Sequence, residues 1–148
     1  MQIATQPPYY KRADFLFALA LGPLLWGALG MWWPVGDISW PLRAPMQYLA
    51  LSLIYPLLEE FVFRGGIQVE LNARSWARWR WGPLRGSNFI TSCIFALAHV
   101  VLRGDLALGL VFFPSLVFGY FRDREDSWVP AFWLHSFYNA GFVLLFYN

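Results

Sequence analysis

Cysteine is almost absent from these 148 residues: Cys93 stands alone, so no internal disulfide and no cysteine-based metal cluster can form. It falls in an apolar run and reads as a small packing residue. Charge is scarce too. Charged residues make up 14% of the chain and the net charge is +2, against roughly 25% charged residues in an average soluble domain. So small an excess of positive charge argues against nucleic-acid binding, which needs a basic surface to meet phosphates. Histidine occurs only twice, at His99 and His135. Neither an internal repeat nor a low-complexity tract is present.

What the chain has in abundance is apolar surface: 58% hydrophobic residues, with nine Trp and fourteen Phe. A soluble fold of this length lacks the interior to hide so much, whereas a bilayer core does not impose that limit. The fold class expected is therefore all-α and integral to the membrane, as a single domain over residues 1–148. Five helices are expected, since lipid leaves no backbone group unpaired and a span takes roughly 20 apolar residues. The first runs from about Phe15 to Trp33, and lacks a cleavage signature, so it reads as a retained helix. A Pro/Gly-rich connection, Pro34 to Pro45, follows, with Trp33 and Trp40 suited to an interfacial belt. The second runs from about Met46 to Ile67, and a polar stretch covers Glu70 to Ser87. Shorter apolar runs follow at Asn88–Leu102 and Leu106–Phe121, then a charged loop, Arg122 to Asp126, and a last run from Trp128 to Tyr147. With five crossings and residues 1–12 in the cytoplasm, Lys11, Arg12, Arg74, Arg78, Arg80, Arg85, Arg122 and Arg124 fall on the cytoplasmic side. Only Arg43 and Arg103 fall on the other. The positive-inside rule then places the N-terminus in the cytoplasm and the C-terminus across the plasma membrane. The alternation Trp76, Arg78, Trp79, Arg80, Trp81 suits interfacial anchoring, with rings at the boundary and arginines near lipid phosphates.

Ionisable groups within membrane helices are costly and persist where they pair or line a wet cavity. Five lie in these spans: Glu59, Glu60, Arg64, His99 and His135. Glu60 and Arg64 are four apart, on one helical face and in the order that favours an ion pair. Glu59 lies about 100° round the helix, free to point elsewhere. His135 and Asn139 share a face of the last helix, and Phe95 and His99 repeat the spacing on the third. Counted from the cytoplasmic ends, Glu59, His99 and His135 lie on the order of 10 to 17 Å deep, which one cavity in that half of the bilayer accommodates. A single Glu–Arg or His–Asn pair would read as a buried ion pair or as interhelical glue. Five groups at one depth favour catalysis.

Glu59-Glu60-Phe61-Val62-Phe63-Arg64 reads as EExxxR, Phe95 to His99 as FxxxH and His135 to Asn139 as HxxxN. In this order they resemble the three motifs of the CAAX-protease and bacteriocin-processing family, the ABI or CPBP intramembrane endopeptidases. Gly65 after the first motif, Gly119-Tyr120 closing the fourth helix and Pro130 before His135 extend the resemblance, which covers about residues 50 to 142. It implies a four-helix catalytic core, about 46–147, and a short prokaryotic member of the kind that acts on C-terminal sorting signals.

The resemblance implies Glu59 as general base, with His99 holding and polarising the water, and His135 and Asn139 donating to the oxyanion. Glu60 and Arg64 then shape the site or bind the substrate's polar end. The same residues allow a zinc alternative, with Glu59, His99 and His135 as ligands. There is no HExxH, and the metal-free glutamate scheme, needing no cofactor, is favoured. The expected partners are the lipid bilayer and a membrane-anchored protein or peptide as substrate, with oligomeric state left open. A non-catalytic immunity or assembly protein of the same fold is the alternative, and an ion transporter a weaker one, for want of inverted repeats. Pro56 and Pro114 are expected to kink their helices, and Gly109, Ser115 and Gly119 to give the fourth helix a close-packing face.

Overall fold

The computed structural model describes residues 7–147. Residues 1–6 of the expected cytoplasmic N-terminus lie outside the described residues. Five helical segments carry the chain: α1 (Ala13–Leu29), α2 (45–73), α3 (Gly86–Arg103), α4 (Phe112–Glu125) and α5 (Val129–Phe146). A single turn, Trp40–Arg43, precedes α2, and a 3-10 stretch, Leu106–Val111, leads into α4. The protein is an all-α membrane protein. The segments Gly86–Arg103, Leu106–Glu125 and Val129–Phe146 are long and apolar enough to cross a bilayer, and Ala13–Leu29 is a shorter apolar helix.

Helix α2 is not uniform. Its backbone widens to π geometry at Ala50–Ile54 and again at Phe61–Ile67. The first widening ends just before Pro56, whose ring would otherwise press on the preceding turn's carbonyl and which has no N–H to offer. The second begins right after Glu59 and Glu60, and π turns concentrate at functional sites. It also has a geometric effect. An i, i+4 row drifts round an α-helix, and the extra residue of a π turn opposes that drift. Glu60, Arg64 and Gln68 accordingly stay in one row, each fully buried.

Helix α3 ends at Gly104, which takes the left-handed conformation (φ 69°) that closes a helix without a Cβ penalty. Asp105 then caps the 3-10 stretch through the Ala107 N–H at 2.8 Å. Pro130 sits in the first turn of α5, where its missing N–H costs nothing. Phe15 and Ala18 of α1, Phe118 and Phe121 of α4, and Ala131, Leu134 and Tyr138 of α5 form one core cluster. The Tyr138 hydroxyl donates to the Ala18 carbonyl at 2.6 Å, tying α5 to α1.

Several boundaries differ from those expected. The stretch Glu70 to Ser87 is not all irregular. Helix α2 continues to Ala73, and a small antiparallel ladder pairs β1 (Arg80–Trp81) with β2 (Leu84–Arg85) before Gly86 opens α3. Residues 122–125 form the last turn of α4 rather than a loop, because Arg122 turns inward. Its Nε donates to the Arg64 carbonyl at 3.0 Å and its Nη1 to Asp126 at 3.0 Å. Trp40 is no belt residue. It is buried, with Nε1 donating to the Val143 carbonyl at 3.1 Å near the end of α5. Cys93 is exposed on the outer side of α3 rather than packed inside. At Gly109 an added methyl would meet only ordinary contact with Val100 at 3.7 Å, so the close-packing face reduces to Ser115 and Gly119.

Candidate active site

The centre of the site is one oxygen atom. Glu60 Oε1 accepts from Arg64 Nη1 at 3.0 Å and from His135 Nδ1 at 2.8 Å. All three side chains are buried, Glu60 and Arg64 completely. A carboxylate that already accepts from a guanidinium has only lone pairs to offer, so His135 Nδ1 carries the proton and Nε2 is left over. That Nε2 stands 3.6 Å from Glu59 Oε2. Glu59 is the open member of the pair, with its side chain 31% exposed. The two adjacent glutamates of α2 thus flank the single imidazole of α5, one on each ring nitrogen.

Arg64 is held through its two Nη atoms, its buried Nε having no hydrogen-bond partner among the described residues. Its Nη2 donates to the Ser115 hydroxyl at 2.6 Å and the Ser115 carbonyl at 3.0 Å, while its guanidinium lies over the rings of Phe95 at 4.8 Å and Phe118 at 5.6 Å. Such stacking suits a planar cation taken out of water. Phe118 also stacks on His135, with centroids 4.9 Å apart and planes 18° from parallel. The imidazole can therefore rotate only by breaking both a hydrogen bond and a stack.

His99 reaches the cluster through Phe95. Its Nδ1 bonds the Phe95 carbonyl at 2.9 Å, and a carbonyl can only accept, so the proton again sits on Nδ1 and leaves Nε2 available. The Phe95 ring lies 4.4 Å from the His99 ring and 5.7 Å from that of His135. Asn139, one turn beyond His135, donates from Nδ2 to the Leu51 carbonyl at 3.2 Å, at the first π stretch of α2. Both motif residues of α5 therefore face α2. Among the described residues, no three His, Cys, Asp or Glu side chains stand together as a metal-holding group.

Glu59, Glu60, Arg64 and His135 are thus in direct contact, His99 is joined to them through the Phe95 ring, and Asn139 lies beside them on α5. A broad cavity of about 630 Å³ lies on the outer side of α2, lined by Phe61, Val62, Gly65 and Gly66 among others. None of the six candidate residues lines it. The functional residues not foreseen are Ser115 and Phe118 of α4, which hold Arg64 and His135. Ser115 carried a signal only as a small residue on a packing face, and Phe118 carried none among fourteen phenylalanines.

A polar seam continues from the site along α2. Gln68 Nε2 donates to the Gly119 carbonyl at 2.9 Å and Asn72 Nδ2 to Asp123 at 2.8 Å. From α3, Asn88 Nδ2 donates to the Leu116 carbonyl at 3.0 Å. Gly119 is required here: a Cβ would lie 1.9 Å from Asn88 Oδ1.

The family model for type II CAAX prenyl endopeptidase Rce1-like proteins matches residues 41–141 of the chain. That span contains all six candidate residues. Comparison with curated proteins and with solved structures returns no match.

Proposed function

Since the chain belongs to the Rce1-like family of type II CAAX prenyl endopeptidases, we propose that it is an intramembrane endopeptidase that cleaves a membrane-anchored protein or peptide near its C-terminus by a glutamate mechanism. The observation that carries this is the bracketing of His135 by two glutamates, with Nδ1 at 2.8 Å from Glu60 and Nε2 at 3.6 Å from Glu59.

In this scheme Glu59 removes a proton from the attacking water, its partial exposure giving water a way in. His99, with Nδ1 bonded to its own helix, presents Nε2 to accept from that water and orient it. His135 and Asn139 lie on the oxyanion side. The Nε2 of His135 becomes a donor once Glu59 passes to it the proton taken from the water, and the Glu60 carboxylate on Nδ1 stabilises the imidazolium so formed, as a carboxylate does in a catalytic triad. The proton then passes to the leaving amine. Arg64 neutralises Glu60, so the buried cluster does not carry an uncompensated negative charge. The scheme uses no metal. The N-terminus faces the cytoplasm, the C-terminus the far side of the plasma membrane, and the site opens toward the cytoplasmic half.

Replacing Glu59 with Gln tests the scheme, because the amide keeps the shape and removes the base. The substrate to examine is a co-expressed protein with a C-terminal apolar helix and basic tail. Its mass should shift on cleavage with the wild type and not with Glu59→Gln. Undiminished cleavage by the variant refutes the glutamate mechanism.

A further inference from the structure

Away from the site, where α2 gives way to the hairpin, Arg78, Arg80 and Arg85 converge with Asn72 around a pocket of about 290 Å³. We propose that this pocket binds a phosphate group, and that the group is the headgroup phosphate of an anionic lipid. Arg80 and Arg85 are direct partners across the β1–β2 ladder. Like charges placed opposite each other in an antiparallel pair are destabilising. Arg78 adds a third positive charge, and its one side-chain hydrogen bond runs to the Ala73 carbonyl at 3.1 Å. Among the described residues none of these three arginines has a carboxylate within ion-pair distance, although the neighbouring Arg74 is paired with Glu70. The arrangement is self-repelling as a protein surface and complementary to a bound anion, whose oxygens the guanidinium forks match two at a time.

The frame that holds the arginines together is stiff. Gly82 takes φ 58° at the hairpin turn, and the Gly86 N–H donates to the Trp79 carbonyl at 2.8 Å. A Cβ on Gly86 would come within 2.5 Å of the Trp79 ring, so strand and ring lie tight against the start of α3. Asn72 belongs to this frame rather than to the anion: Nδ2 is donated to Asp123 at 2.8 Å, and Oδ1 accepts from Ser87 at 2.5 Å. The depth identifies the source of the phosphate. Trp76, Trp79 and Trp81, interleaved with Arg78 and Arg80 along the chain, are all exposed, and tryptophans of that kind sit at headgroup level. The pocket therefore opens where lipid phosphates lie, and its ligand requires none of the six residues of the candidate active site.

The full chain in neutral detergent, titrated separately with short-chain phosphatidylglycerol, short-chain phosphatidylcholine and inorganic phosphate, tests this through the shift in thermal unfolding. Phosphatidylglycerol should raise the unfolding temperature in a saturable way, and phosphatidylcholine should not. Arg80→Gln and Arg78→Gln, both exposed side chains, should each weaken the apparent affinity roughly tenfold, one lost charge-assisted hydrogen bond being worth about that factor. Circular dichroism of each variant reports that it is folded, and Arg43→Gln, on the remote connection, should leave the affinity unchanged. Equal shifts with both lipids, or an unaltered affinity in Arg80→Gln and Arg78→Gln, overturn the proposal. A shift with inorganic phosphate that matches the phosphatidylglycerol shift overturns the lipid as its source.

Discussion

His135 and Glu60 meet across seventy-five residues of chain, Nδ1 to Oε1 at 2.8 Å, and the bond fixes which imidazole nitrogen is free. The arginine four residues on occupies the same oxygen. Glu60 Oε1 is thus taken by two protein partners, while Glu59, on the other ring nitrogen, keeps an open face. Sequence spacing alone left the two glutamates interchangeable in role. Their contacts differ.

Replacing His135 with Phe keeps a flat ring against Phe118 and Phe95 and removes both nitrogens. Cleavage should fall about 10²- to 10⁴-fold, the usual contribution of a positioned acid–base group. Stability should fall by only about 1–3 kcal/mol, the cost of a lost buried hydrogen bond. Cleavage kinetics beside detergent-denaturation curves would separate the two effects. An unchanged kcat would remove His135 from the chemistry.

The i, i+4 pairs were legible because a helix puts them on one face whatever surrounds it, and Glu60–Arg64 and His99–Phe95 are local contacts of that kind. Contacts between helices were not. Within a membrane the lipid-facing and core-facing sides are both apolar, so hydropathy does not say which way Cys93 or Phe118 turns. Trp40 looked like a belt residue because its composition and place in the chain were right, and only the return of α5 to Val143 buries it. Arg122 looked like loop because an arginine after an apolar run reads as the end of a span. Its acceptor is a backbone carbonyl on another helix, which no side-chain pattern records. The π stretches of α2 were visible only as Pro56, expected as a kink and found at the end of a widened turn.

Two glycines are predicted to be sensitive. A Cβ at Gly119 would lie 1.9 Å from Asn88 Oδ1, and one at Gly141 would lie 2.2 Å from the Trp26 ring. Gly119→Ala and Gly141→Ala should each destabilise by about 1–3 kcal/mol through overpacking. Gly27→Ala, with nothing within 4 Å of the added methyl, is the control and should be neutral or slightly stabilising. Thermal unfolding of the three variants checks the ordering.

Asp37, in the connection before α2, is held well below the usual carboxylate range, down to about 2, chiefly by the Ser39 hydroxyl, then by the Ser39 N–H and Arg43. A depressed folded value means that the ionised form is favoured by folding. Its contribution is fully present above the ordinary value of 3.8 and is lost as pH falls through about 2. Asp37→Asn should therefore loosen residues 37–43 at neutral pH, seen as faster amide exchange at Ser39. A carboxyl-carbon NMR titration of the wild type should show Asp37 still ionised at pH 3, and a midpoint near 4 would contradict the structure.

The buried pair gives the sharpest test of which interactions hold the fold and which serve the chemistry. Glu60→Gln leaves the Arg64 guanidinium charged and buried with neutral partners only and no countercharge, and Arg64→Met leaves the Glu60 carboxylate with His135 alone. Breaking a buried pair by removing one partner costs roughly 3–5 kcal/mol, because the other charge stays behind without compensation. Each single variant should fall by that order in SDS-denaturation experiments. The double variant, Glu60→Gln with Arg64→Met, removes both charges. The introduced amide can still accept from His135 Nδ1 through its carbonyl, and the introduced thioether chain fills the space between Phe95 and Phe118. Its stability should return to within about 1–2 kcal/mol of the wild type, with a strongly non-additive cycle. Cleavage should not return, since a neutral amide cannot stabilise the imidazolium as a carboxylate does. A double variant that is stable and also active would show that Glu60 serves only to hold the helices together.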